Sequence, residues 1–290
     1  MAEGGAPSSP SSPRLTSKDG RLIRELVESH CGLSYSLDSP SFLERRVMPR
    51  LRSLGLGSFQ DYYLYLKYDE GGPQELGILI EHLTNHETYF FRERYQLDAF
   101  RLEVIPMLIA MRGRQGHLSI WSAGCSTGEE TYTIAMLLRD EPALEGWKMR
   151  VFGTDISRPV LRKARAGRYT ESSFREIRPE ERRRHFHRDG DRWSVNEDVR
   201  ALTAFGHLNL LNQQKLLLLG GCDVIFCRNV LIYLSAEARS AIVESFYRRL
   251  RPGGVLMLGH SESLIAVKTS FELLNLEHDL VYQKPLEDDD

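Results

Sequence analysis

The chain has 290 residues, 41% of them apolar, and a formal net charge of −2. That length allows two domains with packed cores. The longest apolar runs, such as Val104–Met111, are far short of a membrane span, and the charge gives no global pull toward nucleic acid.

Residues 1–14 are mostly Gly, Ala, Ser and Pro, and are expected to form a disordered tail. No charged segment leads into an apolar stretch as in a secretory signal, so the expected location is cytoplasmic, with no membrane insertion. Residues 15–95 read as a helical domain with its linker. Leu22, Ile23, Leu26 and Val27 recur at helical spacing, as do Phe59, Tyr62, Tyr63 and Leu66, with Ser58 as an N-cap. Glu75–Leu83 is a further amphipathic stretch. Gly55, Gly57 and Gly71-Gly72-Pro73 separate these helices. Arg45, Arg46, Arg50 and Arg52 form a local basic cluster, and Pro49 within it is expected to kink or start a helix.

Residues 96–285 have a different texture. A helix over Ala99–Met111 precedes an apolar strand, Leu118–Ser122. A Gly-containing loop, a helix over Thr131–Arg139, a strand over Met149–Thr154 and a helix over Arg158–Arg165 follow. A third strand, Asp223–Cys227, a long helix, Ala236–Leu250, and a strand, Val255–Gly259, complete the pattern, with Arg251-Pro252-Gly253-Gly254 as the turn between the last two. Strands alternating with helices predict a doubly wound α/β domain with a parallel sheet covered on both faces. Asp189-Gly190-Asp191, flanked by Arg192–Val195 and Leu202–Phe205, predicts a small antiparallel β-subdomain over residues 187–208. Residues 286–290 form an acidic tail. Cys31, Cys125, Cys222 and Cys227 match no zinc spacing and read as small buried thiols; no metal site is expected.

The loop Ala123-Gly124-Cys125-Ser126-Thr127-Gly128-Glu129-Glu130 joins the first strand to the next helix. Glycines there let the backbone approach a ligand closely. A pyrophosphate would favour the free N–H groups of the helix start, but Glu129 and Glu130 would repel it. The loop also lacks the lysine of a phosphate-binding loop. A cofactor bearing an ammonium would be welcome, which favours S-adenosylmethionine (SAM) over NAD or ATP. The alternative is that both glutamates merely complement the helix dipole. Asp155 ends the second strand, where a carboxylate can accept from both ribose hydroxyls. It could instead cap the following helix, although Ser157 is better placed for that.

Three further blocks stand in order: Leu83-Thr84-Asn85-His86-Glu87-Thr88-Tyr89-Phe90-Phe91-Arg92-Glu93, Phe226-Cys227-Arg228-Asn229-Val230-Leu231-Ile232-Tyr233, and Gly259-His260-Ser261-Glu262-Ser263. With Gly124–Glu130 and Asp155, they resemble the CheR family of chemotaxis receptor glutamate O-methyltransferases over residues 20–285. The resemblance implies a SAM-dependent methyltransferase (Rossmann-like) domain with a small antiparallel β insertion, preceded by a small all-α domain. It implies methyl transfer from SAM to receptor glutamates, giving methyl esters and S-adenosylhomocysteine.

By the same resemblance, Arg92 and Tyr233 match the catalytic positions. Cofactor contacts fall on His86, Thr88, Arg92, Glu129, Asp155, Asn209, Leu210, Arg228 and Asn229. Glu129 would hold the ammonium, Asp155 the ribose, and Asn209 with Leu210 the adenine side. The family carries Asn two residues before the threonine of the first block, where this chain has His86. His260 and Glu262 would either shape the site or satisfy loop backbone. The implied partners are methyl-accepting chemotaxis receptors, whose acidic helical methylation region would meet the basic cluster, and the default state is a monomer. The alternatives are a related enzyme acting on another sensory or signalling protein, a non-catalytic module binding SAM or S-adenosylhomocysteine, and a nucleic-acid methyltransferase. The last is disfavoured by the charge and by the lack of an Asn/Asp-Pro-Pro-Tyr motif.

Overall fold

The computed structural model describes residues 13–34, 39–113 and 116–286. The tail expectations for residues 1–12 and 287–290 lie outside them. The chain divides into two compact units between Leu83 and Thr84.

The first unit contains α1 (Ser17–Cys31), α2 (Pro40–Leu54), α3 (Phe59–Tyr68) and α4 (Gly72–Leu83). Thr16 and Ser58 cap α1 and α3, each hydroxyl accepting from a backbone N–H three residues on, at 3.1 Å. Gly55 ends α2 at φ 67°, a conformation that favours glycine. Pro49 lies inside α2, which begins at Pro40. Ile23, Val27, Leu43, Val47, Leu51, Phe59 and Leu79 form the core. Buried among them, Glu75 accepts from Arg50 Nε and from the Tyr62 hydroxyl, both at 2.8 Å. Arg50 is therefore an internal ion-pair partner and not a member of the free basic cluster. Arg45, Arg46 and Arg52 remain exposed.

The second unit opens with α5 (Arg94–Ala99), which continues through a π-helical stretch, Phe100–Val104, into α6 (Ile105–Arg112). Then come β1 (His117–Ala123), α7 (Glu129–Arg139), β2 (Lys148–Asp155), α8 (Arg158–Ala166), β3 (Arg168–Tyr169), α9 (Pro179–His185), β4 (Phe186–Asp189) and β5 (Arg192–Val195). The remainder is α10 (Glu197–Arg200), β6 (Thr203–His207), α11 (Gln213–Leu217), β7 (Cys222–Cys227), α12 (Ala236–Arg249), β8 (Leu250–Leu258), β9 (Glu272–Asn275) and β10 (Leu280–Gln283).

The main sheet runs β6-β2-β1-β7-β8-β10-β9. Its first five strands are parallel; β10 adds antiparallel to β8, and β9 adds antiparallel to β10. In register, Ile120, Val224 and Val255 form a row in one core cluster. The next row, Trp121, Ile225 and Leu256, belongs to the cluster on the other face. Alternation along each strand thus fills two cores. All four cysteines are free and buried.

Three expectations need correction. The small antiparallel sheet is β3-β5-β4, spanning Arg168 to Val195, and the 202–205 run is not in it. That run lies in β6, parallel to β2, because Phe205 packs on Tyr132 of α7 with ring centroids 5.3 Å apart. The segment after Thr84 folds with the second unit, since Phe90 and Phe91 are buried in its core. The Arg251–Gly254 turn lies within β8, which already pairs at Leu250 and then shifts register. The strands β9 and β10 had no counterpart in the sequence reading.

Candidate functional site

Chain progression along the sheet reverses at β1: β2 and β6 lie on one side, β7 and β8 on the other. Ligands of doubly wound sheets bind at the carboxyl ends of the strands flanking such a switch point. Here those ends are Ala123 and Cys227, which lead into the glycine loop and the Arg228–Tyr233 segment. The two loops touch, for a Cβ at Gly124 would collide with Val230. Among the described residues four non-glycine residues have positive φ: Phe91 (59°), Glu93 (55°), Ser126 (49°) and Asn229 (59°). All four lie on the loops at this edge. Such conformations cost on the order of 1–3 kcal/mol each and collect where a ligand dictates backbone shape.

The glycine loop is tied on three sides. Ser126 N donates to Asp155 Oδ2 at 2.8 Å, and Ser126 Oγ donates to the His86 carbonyl at 3.1 Å. The Tyr169 hydroxyl donates to the Thr127 carbonyl at 2.7 Å. Asp155 Oδ1 accepts from Ser157 N at 2.9 Å, so its carboxylate closes the turn that leads into α8. Ser157 occupies the N-cap of α8 but makes no side-chain cap bond. Each Asp155 oxygen thus accepts from a backbone N–H, and the carboxylate keeps acceptor capacity for a ligand. Burial pushes the Asp155 carboxyl up, opposed by those two N–H groups and by nearby His86. Leu208 N donates to the Asp155 carbonyl, which places Asn209 and Leu210 on the same edge.

Glu129 is 2% exposed. It accepts from Thr127 Oγ1 at 2.6 Å and from Ser173 Oγ at 2.9 Å, and no ion pair reaches it among the described residues. Burial raises its pKa. A buried carboxylate held by hydroxyls, with no ion-pair partner among the described residues, is complementary to a ligand ammonium. Ser173 was not singled out in the sequence. It reaches the site because the Phe90 N–H donates to its carbonyl at 3.0 Å.

Arg228 has a different occupation from the one expected. Its side chain is 3% exposed. Nε donates to Gln96 Oε1 at 2.7 Å, Nη1 to Glu130 Oε2 at 3.3 Å, and Nη2 to the Arg92 carbonyl at 2.7 Å and Glu93 Oε2 at 2.9 Å. It is a strut between β7, α7 and the Arg92–Gln96 turn, and its donors face protein. Burial alone would raise the Glu93 carboxyl, but Arg228 beside it holds it below the ordinary value.

Glu262 settles the backbone alternative. Its carboxylate accepts from the N–H groups of Asn229 (2.7 Å), Val230 (2.9 Å), Ile232 (3.2 Å) and Gly259 (2.8 Å). It therefore holds the loop that carries Tyr233. His260 lies outside this cluster, its Nδ1 2.9 Å from the Tyr95 hydroxyl. The Tyr233 hydroxyl accepts from Asn85 Nδ2 at 2.9 Å, and Arg92 Nη1 donates to the Glu87 carbonyl at 3.0 Å. Both expected catalytic side chains are thus anchored on residues 85–87. His86 Nε2 lies 3.1 Å from Thr84 Oγ1, and Thr88 is half-buried on the same segment.

Residues 86–280 match the family described as CheR methyltransferase, SAM binding domain, and residues 18–84 match CheR methyltransferase, all-alpha domain. The chain belongs to the CheR methyltransferase family. Relatives match along most of their length. Chemotaxis protein methyltransferase 2 of Vibrio cholerae is 35% identical over 93% of this chain and 94% of its own. The chemotaxis protein methyltransferase of Escherichia coli is 34% identical over 87% of each chain. Chemotaxis protein methyltransferase 1 of Pseudomonas aeruginosa is 31% identical over 91% of this chain and 97% of its own. The cofactor of this CheR fold is S-adenosylmethionine. The edge fits it: glycines without Cβ in the loop, an unpaired buried carboxylate at Glu129, and open acceptor positions on Asp155.

Proposed function

We propose that the chain is a cytoplasmic protein-glutamate O-methyltransferase that modifies chemotaxis receptors. The observation that carries this reading is the joint anchoring of Arg92 and Tyr233 on residues 85–87, beside the glycine loop. In this reading Glu129 holds the cofactor ammonium and Asp155 its ribose. Asn209 and Leu210 flank the adenine, while Thr88, His86 and Asn229 close the pocket.

When bound, the cofactor supplies an electrophilic methyl group, and its sulfur takes up the electron pair of the broken bond. A glutamate acceptor is ionised at neutral pH, with a free pKa of about 4.3, so it needs no general base. The task left to the chain is placement and dehydration of the acceptor oxygen. Arg92 orients the acceptor through paired guanidinium bonds, and Tyr233 donates one further hydrogen bond beside the transferring methyl. Exposed Arg45, Arg46 and Arg52 on α2 suit an acidic receptor helix.

The test is to incubate the protein with methyl-labelled SAM and receptor-bearing membranes and then treat the product with alkali. Carboxyl methyl esters release volatile methanol. Alkali-stable label would overturn the glutamate assignment, and cofactor binding without any label would favour a non-catalytic module.

A further inference from the structure

Asn85 lies one step before the position where this chain carries histidine in place of the family's asparagine, and no role attaches to it from the sequence motifs. Its amide is oriented from both ends. Oδ1 accepts from the Glu87 N–H at 3.3 Å, which leaves Nδ2 to donate to the Tyr233 hydroxyl oxygen at 2.9 Å, across 148 residues of chain. Since the tyrosine oxygen is the acceptor in that bond, its own proton is free to point elsewhere. A hydroxyl that accepts one hydrogen bond also donates the next one more strongly. The backbone that carries Tyr233 is fixed separately by Glu262, so the hydroxyl direction is the degree of freedom Asn85 controls.

We propose that Asn85 is a positioning residue for methyl transfer: it fixes the Tyr233 hydroxyl as a donor aimed at the acceptor carboxylate. The inference rests on the role given to Tyr233 under Proposed function. Asparagine suits the task because it supplies a donor to the phenol while its carbonyl is held by its own turn. Aspartate at the same place would be acceptor-only and would draw the phenolic proton toward itself and away from the acceptor.

The experiment is a double-mutant cycle on the full chain, with receptor membranes as substrate and S-adenosylhomocysteine affinity measured by calorimetry. Asn85→Asp is expected to lower kcat about five- to tenfold. Asn85→Ala should lower it less, and Asn85→Ser, which restores a donor, should recover part of the loss. S-adenosylhomocysteine affinity should stay within about twofold throughout. In a Tyr233→Phe background Asn85→Asp should have no further effect. An equal loss in both backgrounds would mean that the new charge repels the acceptor, and would overturn the proposal. So would a parallel loss of cofactor affinity, or an unchanged kcat in Asn85→Asp while Tyr233→Phe is slow; the reading of Tyr233 would stand in that last case. If Tyr233→Phe alone kept its rate, that reading would itself fail and take the inference with it.

Discussion

Arg228 Nη2 donates to the backbone carbonyl of Arg92 at 2.7 Å. One arginine, buried at the end of a central strand, thereby sets the main-chain position of another that is expected to meet the substrate. The same guanidinium forms ion pairs with both Glu93 and Glu130. Glu130 is held in turn by Ser122 Oγ at 2.7 Å. The strut bonds directly to the turn in which Phe91 and Glu93 hold positive φ angles.

Arg228→Lys should therefore destabilise the second unit, although charge is conserved. An ammonium cannot reproduce a fork with four partners on three elements, and Glu93 or Glu130 would be left poorly paired. The expected loss is about 3 kcal/mol, read as a shift of the urea midpoint at unchanged slope. A variant as stable as the parent would show that the strut is dispensable.

Glu262 connects four backbone N–H groups at the Tyr233 loop. Glu262→Ala leaves them without a common acceptor and should cost about 2 kcal/mol or more. Glu262→Gln keeps the shape but replaces one acceptor oxygen with a donor, which opposes the N–H groups. Methyl transfer should fall at least about tenfold in either variant, beyond what cofactor affinity explains. Unchanged kcat in Glu262→Gln would remove Glu262 from the positioning machinery.

Glu129 links stability and binding in opposite senses. Burial raises its carboxyl pKa in the folded chain, so the folded state holds a proton more tightly than the unfolded state does. Its contribution to stability is fully present below the unfolded pKa and is lost as pH rises through the folded one. In its ionised form the buried carboxylate has no ion-pair partner among the described residues, a cost that the ligand ammonium relieves. Glu129→Gln is expected to raise the melting temperature of the cofactor-free protein by about 2 °C or more. The same change should weaken S-adenosylhomocysteine at least about tenfold. In the parent protein, affinity should fall as pH drops through the raised Glu129 pKa, with proton release on binding just below it. Calorimetry in buffers of different ionisation enthalpy measures that release.

The arginines of α2 should separate by role. Reversing Arg45 and Arg46 to Glu is expected to lower receptor methylation several-fold while melting temperature and cofactor affinity hold. Arg50→Ala should instead unfold the first unit more easily, by about 3 kcal/mol, because Glu75 is left buried without its guanidinium partner. Equal behaviour of the two sets in thermal melts would contradict the ion-pair assignment.

Much of the fold was legible because its signals are local. Periodicity and turn residues located β1, β2, β7, α7, α8 and α12 to within a few residues, but not the short helices α9, α10 and α11. Buried parallel strands read as apolar runs, and Ser58 capped its helix as its position required. The edge was not legible. β9 and β10 are four-residue strands whose pairing depends on the exposed side of β8, a surface that exists only after folding. The 202–205 run looked like part of a hairpin because alternation cannot say which sheet a strand joins; Phe205 packing on Tyr132 decides that.

At the site, chemical type followed from sequence while occupation did not. Glu129 and Asp155 were singled out as candidates because carboxylates at helix and strand ends carry chemical meaning, and Arg92 and Tyr233 because the blocks around them resemble the family. The sequence also determined the family and the cofactor. Tertiary structure alone turned Arg228 from a candidate ligand contact into a strut, took Arg50 out of the basic face, and gave Glu262 its four N–H partners. It also paired Asn85 with Tyr233. Apart from the bond of Glu262 to nearby Gly259, these assignments rest on distances between residues 25 to 148 positions apart, and a side chain's hydrogen-bonding capacity does not reveal which of many distant groups will use it.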